Sequence, residues 1–145
     1  MNRQQSAVVQ IFDGADQPLR ATRLPLPTTL QPGEVLVQIR LATICGSDLH
    51  TFMGHRQEAA PAILGHEAVG EIVAVGVGRA ELQPGHRVTW TIADSCGHCR
   101  PCTTYGLPQK CDQLFKYGHA PLDNGSGLNG CYASHIVLRP GTHIV

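Results

Sequence analysis

Aromatic side chains are scarce in this 145-residue chain: one Trp, three Tyr and three Phe. So few rings do not make the stacking platform on which single-stranded nucleic acid is held. An excess of either charge is also missing, because 11 basic side chains are balanced by 11 acidic ones. With no basic stripe and no Lys/Arg run, a nucleic-acid surface is not expected and the partner reads as a small molecule. No window comes near eighteen consecutive apolar residues, so no membrane span is expected. The start Met1-Asn2-Arg3-Gln4-Gln5 leads into an alternating segment and not into a signal-peptide core. The chain therefore reads as soluble and cytoplasmic. Its length and 42% hydrophobic content fit one globular domain. A domain of this size buries roughly 68–70% of its unfolded surface and needs no disulfide framework.

Glycine (16), proline (10), cysteine (6) and histidine (8) are plentiful instead, more than a helical bundle would carry. Ala7, Val9 and Ile11 alternate with Val8, Gln10 and Phe12. Within Glu34 to Leu41, Val35, Val37, Ile39 and Leu41 fall on one face at period two, the mark of a half-buried strand. Further β-rich runs are Ala68 to Val75, Arg87 to Ile92 and Ala133 to Leu138. Gln31-Pro32-Gly33, Gln83-Pro84-Gly85 and Arg139-Pro140-Gly141 separate them, Pro presetting φ and Gly allowing the positive φ of tight turns. Short strands so punctuated predict a closed or nearly closed β-barrel. A short helix is expected over Gly46 to Met53, and a mobile loop over Leu122 to Gly130.

The strongest chemical signal is Cys96-Gly97-His98-Cys99-Arg100-Pro101-Cys102, closed by Cys111. Three cysteines at every third position, with a fourth shortly after, can wrap one zinc ion tetrahedrally at Zn–S distances of about 2.3 Å. In a reducing compartment such a cluster favours metal over disulfide. Redox-active or spectator thiols are the competing reading. His98 could replace one cysteine, although four thiolates already close the tetrahedron. A more dispersed set, Cys45-Gly46-Ser47-Asp48-Leu49-His50 and Gly65-His66-Glu67, offers a thiolate and an imidazole with carboxylates nearby. Alone it is weak, because such a cysteine and histidine are more often a buried small hydrophobe and a hydrogen-bonded surface residue.

Taken in order, these motifs resemble the zinc-containing medium-chain alcohol dehydrogenase family, specifically its N-terminal GroES-like catalytic domain. The residues that carry the resemblance are Cys45 to His50, Gly65-His66-Glu67-Ala68-Val69-Gly70 with Val75-Gly76, the Cys96/Cys99/Cys102/Cys111 lobe, and Gly130 to Ala133 leading a strand. They span nearly the whole chain. The run Gly106 to Cys111 through Lys116-Tyr117-Gly118-His119 is similar to a subgroup associated with phosphonate breakdown.

The resemblance implies a mainly β, GroES-like barrel over residues 1–145 with a zinc lobe at about 94–113. It implies a catalytic zinc held by Cys45 and His66, with Glu67 beside it as an occasional ligand, and a structural zinc on Cys96, Cys99, Cys102 and Cys111. Asp48 would accept a hydrogen bond from His66 and fix its tautomer. Ser47 would take the proton of an alcohol substrate and pass it through the cofactor ribose towards His50 and solvent. Zinc would stabilise the alkoxide, and hydride would pass to NAD or NADP, leaving a carbonyl product. Without that frame, Ser47 and Asp48 read as helix caps and His50 as an ordinary surface residue.

The departures are informative too. Cys102 and Cys111 enclose eight residues where the family's lobe has seven, which predicts a one-residue bulge. His86 stands where an acidic residue commonly precedes Arg87-Val88, so a local ion pair is not expected there. The family continues into a Rossmann domain that supplies the third catalytic-zinc ligand. The chain is therefore expected to be a fragment of a homo-oligomeric parent, inactive alone. Gly125-Ser126-Gly127-Leu128-Asn129-Gly130 fits a dinucleotide fingerprint by letter, but no convincing strand precedes it and Ala133 to Leu138 reads as β where a helix is needed. Two other classes compete: a stand-alone zinc-stabilised barrel serving as a binding module, with Cys45 and His66 vestigial, and a zinc hydrolase using Glu67 as base. Continuation of the coding sequence into a glycine-rich βαβ unit would favour the dehydrogenase.

Overall fold

A computed structural model describes residues 5–145, so the reading of Met1 to Gln4 as a start without a signal core lies outside the described residues. In chain order the elements are β1 (Ser6–Phe12), β2 (Arg20–Pro25), β3 (Val35–Ala42), α1 (Gly46–Phe52), β4 (Ala62–Ile63), β5 (Ala68–Val75) and β6 (Arg87–Val88). There follow β7 (Ala93–Asp94), α2 (Arg100–Thr103), a 3-10 turn (Pro108–Lys110), β8 (Phe115–Lys116) and β9 (His135–Leu138). They form three antiparallel sheets, β2-β1-β4, β6-β5-β3-β9 and β7-β8. The chain is mainly β, as its punctuation predicts. Among the described residues no helix is long and apolar enough to cross a membrane.

β1 follows its alternation: Ala7, Val9 and Ile11 are fully buried while Val8 faces out. β3 departs from the half-buried reading. Val35 and Val37 enter one apolar cluster with Ile72, Trp90, Tyr117 and Ile136, whereas Leu36 enters another with Val9, Ile11, Ile63 and Leu128. A strand lying between two clusters is buried on both faces there, so alternation fails. Its pairing with β5 then skips Arg40, a bulge that bends β3, and Leu41 is 63% exposed where period two predicts burial. β2 has no counterpart in the sequence reading. Arg20 and Arg23 interrupt its apolar pattern, and such charges suit an edge strand that must not pair further.

Arg87 to Ile92 and Ala133 to Leu138 pair along most of their length, but each changes partner midway. Arg87 and Val88 pair with β5, after which Thr89 and Thr91 bond the backbone of Val145 and His143. Ala133 and Ser134 join β1 at Val9 and Val8, after which β9 pairs with β3. Segments that switch sheets at corners are what tie two sheets into one barrel. Gly33 and Gly85 take φ of 82° and 90°, as their turns require. Gly141 takes no positive φ; it is glycine because a Cβ there would meet the Asp94 carboxylate and the Ser95 carbonyl.

The loop expected to be mobile is packed instead. Leu128 is fully buried, and the Asn129 amide donates to the carbonyls of Asn124 and Pro121 at 2.7 and 3.4 Å. The glycine run leads into β9 and not into a helix, which agrees with setting aside the dinucleotide fingerprint.

Tyr117 locks the segment after β8 to the C-terminal turn. It is fully buried, its hydroxyl lies 2.6 Å from Thr142 Oγ1, and that hydroxyl accepts the Arg139 backbone N–H at 2.7 Å. Tyr117→Phe leaves both groups without this partner, so the unfolding free energy from urea titration should fall by about 1–3 kcal/mol. A loss under about 0.5 kcal/mol would mean that the hydroxyl is dispensable.

Candidate metal centres

The lobe is a loop excursion tied at its base. β7 pairs with β8, Arg139 Nε donates to Asp94 Oδ2 at 3.0 Å, and the same guanidinium lies 4.4 Å from the Phe115 ring centroid. Between these anchors α2 has Pro101 in its first turn, where the missing N–H costs no helical bond. The 3-10 turn takes up part of the eight-residue interval and returns the chain to Cys111. The Sγ atoms of Cys96, Cys99, Cys102 and Cys111 all lie within 4.8 Å of one another. Cys99 Sγ is 3.4 Å from Cys102 Sγ and 3.8 Å from Cys111 Sγ. A tetrahedron with zinc–sulfur bonds of about 2.3 Å has edges of about 3.8 Å, so the cluster is of zinc dimensions.

Backbone donors surround the sulfurs. The Cys99 N–H donates to Cys96 Sγ at 3.3 Å, and the Cys96 and Gln113 N–H groups donate to Cys111 Sγ at 3.2 and 3.3 Å. Hydrogen bonds, led by the Asp112 backbone N–H, hold the Cys99 thiol down at about 6, while burial pushes Cys102 up to about 12. All six cysteines are free thiols. The donor set fits a closed four-thiolate zinc site. His98 turns aside, with Nδ1 2.9 Å from the Cys96 carbonyl.

Three distant segments build the second site. Cys45 precedes α1, and Asp48 in the first turn caps it by accepting the Cys45 N–H on Oδ2 at 3.0 Å. Gly65 and His66, between β4 and β5, approach from the side, and the Gly65 N–H donates to Asp48 Oδ1 at 3.3 Å. Tyr132, ahead of β9, donates its hydroxyl to Asp48 Oδ2 at 2.9 Å. Asp48 is thus a helix cap and a neighbour of His66 at once. His66 is buried, and its Nδ1 lies 3.5 Å from Asp48 Oδ1 without a hydrogen-bond partner, a looser contact than the expected hydrogen bond.

Ligand atoms of Cys45, His66 and Glu67 lie within 4.8 Å of one another, and Thr43 Oγ1 donates to Glu67 Oε2 at 2.7 Å. A thiol, a carboxylate and a buried imidazole whose ligand atoms converge in this way fit a zinc ion that keeps an open position. Ser47 Oγ sits 3.5 Å from the other His66 nitrogen, Nε2. His50, three residues on along α1, is exposed and neighbours His55 with ring centroids 5.7 Å apart.

Two residues at this site escape the sequence reading of site residues. Tyr132 is one. The other is His119, whose ring stacks on His66 with centroids 5.2 Å and planes 27° apart. Its Nδ1 is 2.9 Å from Glu58 Oε1, which Arg56 Nε also holds at 2.7 Å. Burial lowers the His119 pKa against the pull of Glu58. Neither residue is spaced in a motif with Cys45 or His66, so only the pairing of remote segments brings them in. The one local trace is Gly65, where a Cβ would lie 2.7 Å from the Tyr132 ring.

The alcohol dehydrogenase GroES-like domain model matches residues 31–145. The chain belongs to this family. Sorbitol dehydrogenase of Halalkalibacterium halodurans is 45% identical over 120 residues, which is 79% of this GroES-like domain chain and 31% of that protein. An alcohol dehydrogenase structure from Thermotoga maritima superposes with a TM-score of 0.88 at 32% identity, covering 97% of this chain and 40% of the other. The alcohol dehydrogenase rspB of Escherichia coli, solved with cofactor NADH, gives a TM-score of 0.77 at 34% identity, covering 96% and 38%. The GroES-like chain thus spans well under half the length of these proteins. Both cysteine-containing sites lie inside its matched region.

Proposed function

We propose that this GroES-like chain is the catalytic domain of a zinc-dependent alcohol dehydrogenase that passes hydride from an alcohol to NAD or NADP, completed by a nucleotide-binding domain. The observation that carries this reading is the meeting of Cys45, His66 and Glu67 beside Ser47, apart from the closed cluster of four thiols. Cys45 and His66 would hold a catalytic zinc, with Glu67 as an occasional ligand, and Cys96, Cys99, Cys102 and Cys111 a structural one. Bound zinc supplies positive charge that eases loss of the alcohol proton, and nicotinamide supplies the hydride acceptor.

The chain's own residues do the rest. Asp48 faces His66 Nδ1 and leaves Nε2 for the metal. Thr43 fixes Glu67 by its hydrogen bond. Ser47, half-buried, takes the proton, and His50, exposed and one turn further along α1, hands it to solvent. The sorbitol dehydrogenase relative supports a small hydroxylated substrate, and the NADH complex of rspB supports a nicotinamide cofactor. Six free thiols suit the reducing cytoplasm. A homo-oligomeric parent rests on the family resemblance. The binding-module alternative gives no reason for Ser47 and His66 to meet.

The two metal sites should differ in what they keep. After dialysis against a mild chelator the 145-residue chain should retain about one zinc, held by the local four-thiolate cage. Cys99→Ser should lose it and lower the melting temperature, and Cys45→Ser should change neither; two retained zincs, or none, would contradict this division.

In a protein carrying the nucleotide-binding domain, Ser47→Ala should lower kcat by about 100-fold or more with zinc content intact, and His50→Gln by less. Near-normal kcat in both variants would leave the relay unsupported. NAD(P)-linked alcohol oxidation by the 145-residue chain alone would overturn the proposed domain division.

A further inference from the structure

Asp48 collects more donors than a helix cap needs, and one of the extra donors is Tyr132. We infer that the Tyr132 hydroxyl is a positioning group for the metal site: it pins the Asp48 carboxylate so that Oδ1 stays turned toward His66 Nδ1. The inference rests on the zinc reading of Cys45, His66 and Glu67. The terminal torsion of a carboxylate is broad and two-fold, so a single hydrogen bond leaves the group free to swing. Here Oδ2 takes two donors, the Cys45 N–H at 3.0 Å and the Tyr132 hydroxyl at 2.9 Å. That leaves Oδ1 to the Gly65 N–H at 3.3 Å and to the face of His66, 3.5 Å away.

Tyr132 acts here as a donor. Its partner Oδ2 is a carboxylate oxygen, which can only accept, so the phenol O–H supplies the proton of the 2.9 Å bond. The ring is seated independently of the hydroxyl, because it packs where Gly65 leaves room for it. Removing the hydroxyl therefore spares the ring and leaves Oδ2 with one donor. The carboxylate gains freedom, and His66 loses the fixed neighbour that reserves Nε2 for metal.

Cobalt(II) is a suitable probe. Titrated into the 145-residue chain after the four-cysteine cage has been filled with zinc, it reads the Cys45 site through a thiolate charge-transfer band. Tyr132→Phe should weaken cobalt binding by roughly tenfold, the low end for groups that orient a ligand, while zinc in the cage stays unchanged. On an Asp48→Asn background the same substitution should cost less than about twofold, because the two side chains act as one unit. Unchanged cobalt affinity in Tyr132→Phe, equal weakening of the cage, or a full further tenfold loss on Asp48→Asn would overturn the inference. No cobalt band in the unaltered chain would overturn the zinc reading beneath it.

Discussion

Burying the Asp48 carboxylate would be prohibitive if its oxygens found no donors. The fold meets that demand from three places: the start of α1, the Gly65 turn and the approach to β9. Satisfying one carboxylate in this way fixes how three remote segments lie against one another. Cys45, His66 and Tyr132 belong to those segments, so the same bonds that neutralise the burial cost also set the geometry of the proposed active centre. Its ligands meet because the barrel delivers them, and they would scatter if it opened.

The lobe follows the opposite logic. Its four cysteines lie within sixteen residues, counted from Cys96 to Cys111, and need only tight turns to meet. The barrel holds the lobe's base through Arg139, which touches both Asp94 and Phe115, and through Gly141, whose missing side chain leaves room for the Asp94 carboxylate. Tyr117 extends this seam by joining the backbone of Arg139 to Thr142. One centre is thus local with a structural anchor, and the other is dispersed and depends on the whole fold.

That contrast explains what was legible in the sequence. The cage was readable because its spacing is short and its residue type is rare. The Ala68 to Val75 run matched β5 because the strand is continuous and pairs on both sides. β3 was misread at Leu41 because the bulge at Arg40 breaks its period, and β2 was missed because arginines mask an edge strand. The loop before Gly130 looked mobile by composition, yet Leu128 and Asn129 anchor it through contacts that glycine content does not reveal. Cys45 and His66 were legible mainly through the family resemblance. Tyr132 and His119 were not, since their approach depends on strand pairing and on the space left at Gly65.

If Asp48 decides which imidazole nitrogen of His66 meets the metal, a crystal structure of the zinc-loaded chain tests this most directly. Zinc should be bonded by Cys45 Sγ and His66 Nε2, with His66 Nδ1 drawn from its present 3.5 Å to within about 3.2 Å of Asp48 Oδ1. Zinc bonded to Nδ1, or a His66 ring turned away from Asp48, would contradict it.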